Sequence, residues 1–176
     1  MDSFIFQANK LVALGNDQVS QLIDISQVEL YKKYDVILSK GQVCQKLYFI
    51  NDGLLKISFF SEDKEYIMKF FYTNEFCSIL DSLNTKKPSK YTITALTDAS
   101  LLAISYDGLQ KLAKQDQVFE KIISEVPSMA THKMMSRIRE LLETDAKERY
   151  LNFLETNGHL MKLVSLKDLS GYLGIS

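Results

Sequence analysis

Cysteine, histidine and surplus positive charge are all scarce in this chain of 176 residues, and each shortage removes a class of function. The two cysteines, Cys44 and Cys77, make neither a disulfide framework nor the ligand set of an iron–sulfur or four-ligand metal site. They read as half-buried thiols in a reducing cytosol, with a redox role for Cys77 as the alternative. The two histidines, His132 and His159, both fall in the helical C-terminal part. None remains for a metal site on strands, and little for a Ser–His–Asp or Cys–His arrangement. No catalytic residue, metal ligand or cofactor is therefore assigned, and an enzyme is not expected. Net charge is −1, with 14 Lys and Arg against 16 Asp and Glu in residues 1–130 and 7 against 6 thereafter, so no basic phosphate-binding face is visible. No apolar run approaches the roughly 18 residues of a membrane helix. The N-terminus lacks a basic leader and a small-residue cleavage site, so the expected location is the cytoplasm, with no membrane partner.

What is present has an ordinary globular balance, 46% hydrophobic and 24% charged. The first 30 or so residues read as helical. Phe4, Leu11 and Leu14 fall near helical spacing, Gly15-Asn16 breaks the run, and Asp17 is the expected cap of a short helix carrying Val19, Leu22 and Ile23. From Tyr34 the period changes to two. Val36, Leu38, Leu47, Phe49, Leu55, Ile57 and Phe59 alternate with polar neighbours, followed by Tyr66, Met68 and Phe70, then Tyr91–Thr94 and Leu101–Ile104. Roughly six to eight short, evenly spaced strands predict an antiparallel sandwich or jelly-roll barrel. Residues 74–90 interrupt the rhythm with a short helix at Ser78–Leu83 and a Lys-Lys-Pro loop.

After Asp107 the helical period returns with Leu109, Leu112 and Ala113, then Val118, Ile122 and Ile123, and Pro127 predicts a kink or a fresh start. Met134, Ile138, Leu141 and Leu142 then form a narrow apolar stripe flanked by Lys133, Arg137, Arg139, Glu140 and Glu143. Such a stripe fits a seam with a second helix, the favoured reading, or packing on the chain's own domain. Thr144-Asp145 caps a further helix with Tyr150, Leu151, Phe153 and Leu154 as its expected buried face, and Asn157-Gly158 ends it. Ser165 then caps Leu166–Tyr172.

Three stretches together resemble the Crp–Fnr family of transcription regulators. Leu47-Tyr48-Phe49-Ile50-Asn51-Asp52-Gly53-Leu54-Leu55-Lys56 is similar to the strand–turn–strand of cyclic-nucleotide-binding-type barrels, where Gly53 supplies the positive φ that the hairpin needs. Lys64–Ile67 through Phe70-Phe71 and Asn74-Glu75-Phe76 is similar to the strand and turn entering the family's ligand cassette. Glu148–Leu154 and Val164–Ser176 look like the start of a winged helix-turn-helix. There Leu169, Tyr172 and Leu173 would pack on the following helix, Gly174 would make the turn, Ile175 would plug the core and Ser176 would cap the recognition helix. That helix is expected after the last residue, which also accounts for the missing basic face.

The resemblance implies an α+β chain. A sensor unit with a helical preface spans 1–116, and a jelly-roll (double-stranded β-helix) barrel is its body. A long dimerisation helix spans 117–143, and a partial winged helix-turn-helix spans 144–176. Cyclic-AMP-binding relatives hold the ribose with Gly-Glu and the phosphate with Arg-Ser; the matching positions are Ser78-Ile79 and Ser89-Lys90. A buried phosphodiester needs a cation and donors, and a lysine at 87 or 90 is a point charge without the guanidinium fork. Cyclic AMP is therefore not expected. The effector is unassigned, and its pocket is placed at Ser78, Ile79, Leu80, Ser89, Lys90 and Tyr91. The site residues of the partial DNA-binding domain are Ser165, Lys167 and Ser176. The implied partners are a second copy of the chain, promoter DNA once the C-terminal domain is complete, and RNA polymerase. The implied function is effector-responsive transcription regulation of a bacterial type; the alternative is a ligand-binding or docking module that does not touch DNA.

Overall fold

The computed structural model describes residues 2–175. Two helices, α1 (Asp2–Leu11) and α2 (Asn16–Asp24), precede eight strands. These are β1 (Ser26–Tyr31), β2 (Val36–Leu38), β3 (Lys46–Asp52), β4 (Leu54–Ser61), β5 (Lys64–Tyr72), β6 (Phe76–Cys77), β7 (Thr92–Ala95) and β8 (Ala99–Ser105), with α3 (Leu80–Thr85) between β6 and β7. They form two four-stranded antiparallel sheets, β1-β8-β3-β6 and β2-β7-β4-β5, in the jelly-roll arrangement. Then follow α4 (Tyr106–Ala113), α5 (Gln117–Glu143), α6 (Ala146–Asn157), a single 3-10 turn (Gly158–Leu160) and α7 (Leu166–Leu173).

Leu55, Ile57 and Ile93 of one sheet are buried in the same apolar core as Leu101 and Ile104 of the other. Phe4 of α1 joins it edge-on against Phe49, with ring centroids 5.4 Å apart. Phe119 and Ile122 seat the first turns of α5 on the same core. Gly53 turns β3 into β4 at φ +112°, and a Cβ there would lie 2.7 Å from that of Ala99. Only glycine meets both demands.

Several expectations need correction. The helical reading of the first 30 residues misses β1. Its apolar Val28 and Leu30 point outward at 59% and 79% exposure, while Glu29 and Tyr31 turn inward. Lys46 donates to Glu29 at 2.5 Å and the Tyr31 hydroxyl donates at 2.7 Å, so polar residues occupy the positions a pattern search reserves for apolar ones. Burial pushes the Glu29 carboxyl up, but these hydrogen bonds and one from Gln27 hold it below the usual range. The cap of α2 is Gly15 rather than Asp17; its N–H donates to Gln18 Oε1 at 2.6 Å. The short helix starts at Leu80, because Ser78 is held at its Oγ by the Lys46 carbonyl (2.9 Å). Pro127 starts no new helix, since α5 runs through it. Of the expected buried face of α6 only Phe153 is buried, while Tyr150, Leu151 and Leu154 are exposed. Both thiols are fully buried rather than half-buried, and burial pushes Cys77 far above the ordinary thiol range, which keeps it protonated.

Candidate functional site

The residues placed at the effector pocket do not converge on one cavity. Ile79 is buried and Leu80 packs against the same core. Ser78 sits beside Cys44, Oγ to Sγ 3.3 Å. Ser89 is buried, and its hydroxyl is engaged by the Tyr91 backbone, donating to the carbonyl at 2.8 Å and accepting from the N–H at 2.9 Å. Lys90 and Tyr91 instead line an open cleft of about 350 Å³ with Lys40, Phe59 and Phe60. Phe59 stacks on Tyr66 at 5.3 Å and meets the Tyr91 ring edge-on at 6.0 Å.

This arrangement does not fit a cyclic nucleotide. Residues 28–116 contain no arginine; the chain's three stand at 137, 139 and 149. No partnerless polar side-chain atom is buried among the described residues to await a ligand. The Ser89 hydroxyl is already committed to its own loop.

The turn at the start of the 74–91 segment is tied to the long helix. Glu75 Oε1 accepts from Lys69 of β5 at 3.1 Å and from Lys133 of α5 at 2.9 Å, and Glu75 Oε2 accepts from the Tyr72 N–H at 3.3 Å. Burial pulls Lys69 below the ordinary lysine range, and Glu75 only partly offsets it. Burial also opposes the charge on Lys133, yet its hydrogen bond to Glu75 holds it above that range. Beyond Val126, the last buried position of α5, Met134, Ile138 and Leu141 are exposed at 41–44% and Leu142 at 82%. Leu141 alone of the four lies near the end of α7, where a Cβ on Gly174 would stand 3.7 Å from its Cδ2.

The C-terminal helices return to the sheets. Asp145 caps α6, accepting from Glu148 N–H at 2.9 Å, and Ser165 caps α7, accepting from Asp168 N–H at 3.0 Å. Leu169, Tyr172 and Leu173, expected to pack on a following helix, lie against Leu54, Ile67, Phe70, Phe153 and Leu160 in a second apolar core that Ile175 also joins. Tyr172 sits 5.1 Å from Phe70 and 5.4 Å from Phe153. Gly174 ends α7 at φ +68°. Lys167 and Ser165 are exposed at the start of α7, and Ser176 lies outside the described residues. Pattern reasoning missed Lys56, which bridges Glu65 (2.8 Å) and Asp168 (2.6 Å) beneath α7. Its only signal was a lysine among the apolar residues Leu54, Leu55 and Ile57.

The fold is a jelly roll continued by a long helix and a short helical unit. Residues 28–116, half of the chain, match the family model of the cyclic nucleotide-binding domain, and the chain belongs to that family. No curated protein matches the sequence. Among solved structures it is similar to a protein assigned to the Crp/Fnr family of transcriptional regulators from Eubacterium rectale, with TM-score 0.77 and 18% identity over all of this chain and 82% of that one. FixK2 from Bradyrhizobium japonicum aligns with TM-score 0.72 and 17% identity over 86% of this chain and 79% of its own. The c-di-GMP responsive global regulator CLP of Xanthomonas campestris aligns with TM-score 0.71 and 17% identity over 90% and 84%. At these identities the likeness is one of fold. Among the described residues no helix is long and apolar enough to cross a membrane.

Proposed function

We propose that this protein is an effector-responsive, homodimeric transcription regulator of the Crp–Fnr type that does not depend on cyclic AMP. The sensor unit is residues 1–116, the dimer helix 117–143 and the start of a winged helix-turn-helix 144–176. The observation that carries the reading is the stripe Met134, Ile138, Leu141 and Leu142, apolar and exposed on a helix that has already left its own core. Pairing two such helices buries both stripes and sets two C-terminal units about a twofold axis, which suits a pseudo-palindromic operator. The effector acts at the 74–91 segment, with Ser78, Ile79, Leu80, Ser89, Lys90 and Tyr91 as its surroundings. The Glu75–Lys133 contact supports a route from that segment to the dimer helix. Ser165 and Lys167 belong to the DNA-facing part. RNA polymerase is the further partner at a promoter.

Sedimentation equilibrium of the chain tests the reading. A dimer at micromolar concentration is expected. The substitution Leu142→Glu should raise the dimer Kd on the order of a hundredfold by burying unpaired charge in the seam. A wild-type monomer at that concentration overturns the proposal.

A further inference from the structure

The contact between the C-terminal helices and the sheets is apolar nearly everywhere and ionic at one point. Lys56 points out of β4 under α7, and both Lys56 and Asp168 are only 8% exposed. Its ammonium donates to Asp168 Oδ1 at 2.6 Å and meets Glu65 Oε1 at 2.8 Å. The second Asp168 oxygen accepts from the Ser165 hydroxyl at 2.6 Å, so the carboxylate is engaged on both sides. Among the described residues, no other side-chain hydrogen bond or ion pair joins residues 28–116 to residues 144–175. The remaining polar ties of α7 run elsewhere: Arg137 of α5 donates to the Tyr172 carbonyl, and Arg149 of α6 donates to the Leu173 carbonyl at 2.8 Å.

These contacts divide the labour. Apolar burial holds α7 down but is non-directional, and a helix face can slide over it. A buried ion pair adds little net stability against its desolvation, yet a displaced partner leaves an uncompensated charge, so it punishes any other seat. The helix also rides close to the strand, because a Cβ on Gly171 would stand 2.8 Å from the Glu65 carbonyl oxygen. With its carboxy-terminal end tied to α5 and α6, α7 would leave the sheet together with α6.

We propose that Lys56 is a positioning residue: with Glu65 and Asp168 it forms a latch that fixes the seat of α7 on the β4–β5 face. Release of the latch frees α6 and α7 as one body while the two sheets stay folded. The inference goes beyond the regulator reading and fails separately from it, because it is read without DNA and without the dimer seam.

Hydrogen–deuterium exchange on the full chain tests it, using wild type, Lys56→Gln, Asp168→Asn and the exchange of the two charges, Lys56→Glu with Asp168→Lys. In both single variants the α6 and α7 amides are expected to exchange about tenfold faster, with β3 and β8 amides unchanged. The charge exchange keeps one cation between two carboxylates and is expected to restore protection of α7. Asp168→Asn, nearly isosteric, guards against a Lys56 variant that fails to fold. Unchanged α7 exchange in the singles overturns the latch. So does joint loss of protection in α7, β3 and β8, which would make Lys56 a support of one common fold. Failure of the charge exchange to restore α7 also overturns it, by assigning the effect to packing.

Discussion

Lys56 shows how a strand pattern can leave the partner of a single side chain out of sight. On an alternating strand it falls on the face opposite Leu55 and Ile57, where a lysine belongs in water. Its burial comes from a helix 112 positions further on, which no local pattern reveals. Asp168 carries the matching electrostatics. Burial pushes its carboxyl up, but hydrogen bonds from Lys56 and Ser165 outweigh that and hold it below the ordinary aspartate range. Burial pulls Lys56 down, and its bonds to Asp168 and Glu65 more than offset it. By linkage, the Asp168 contribution to stability is complete above an unfolded value of about 3.9 and is lost as pH falls through the folded value. That of Lys56 is complete below about 10.4 and is lost as pH rises through its higher folded value. A carbon-13 carboxyl titration of Asp168 by NMR should give a midpoint below about 3.9 and a higher one in Lys56→Gln. A wild-type midpoint at or above that value contradicts the geometry.

At the level of elements, α7 and β5 approach closely enough that one methyl group decides the fit. Gly171→Ala should cost about 1–3 kcal/mol, because the clash is with backbone and cannot relax through a side chain. Urea unfolding measures the loss, and a cost near zero would mean that α7 sits further from the sheet. Most strands of the sandwich were legible as short apolar runs between turn signals, although β3, β4 and β8 bury consecutive residues on both faces, and the caps Asp145 and Ser165 because their side chains name the helix start. The edge strand β1 was not, since its inward positions hold Glu29 and Tyr31 and its outward ones Val28 and Leu30. The face of α6 was over-read for the opposite reason. Tyr150, Leu151 and Leu154 have apolar side chains, but only Phe153 finds a partner in Phe70 and Tyr172. The residues proposed to surround the effector form a segment rather than a pocket, because the loop turns Ser89 onto its own backbone and sends Ile79 into the core.

For the whole molecule, membership of a nucleotide-binding family and the absence of arginine from residues 28–116 pull in opposite directions. The second is the stronger guide to ligand, since Lys40 and Lys90 in the cleft offer point charges without the guanidinium fork that suits a phosphodiester. Calorimetry with cyclic AMP is expected to show no binding, and a Kd of roughly micromolar or tighter reverses the assignment. The second apolar core also bears on where the chain can be cut. It takes Leu54, Ile67 and Phe70 from the strands and Leu96 from the turn after β7, and covers them with Phe153, Leu160, Leu169 and Leu173 from the C-terminal helices. A jelly-roll fragment trimmed ahead of α6 would turn those four residues toward water as one greasy plate. Such a fragment would aggregate at concentrations that the full chain tolerates, unless each plate residue were first replaced by a polar one.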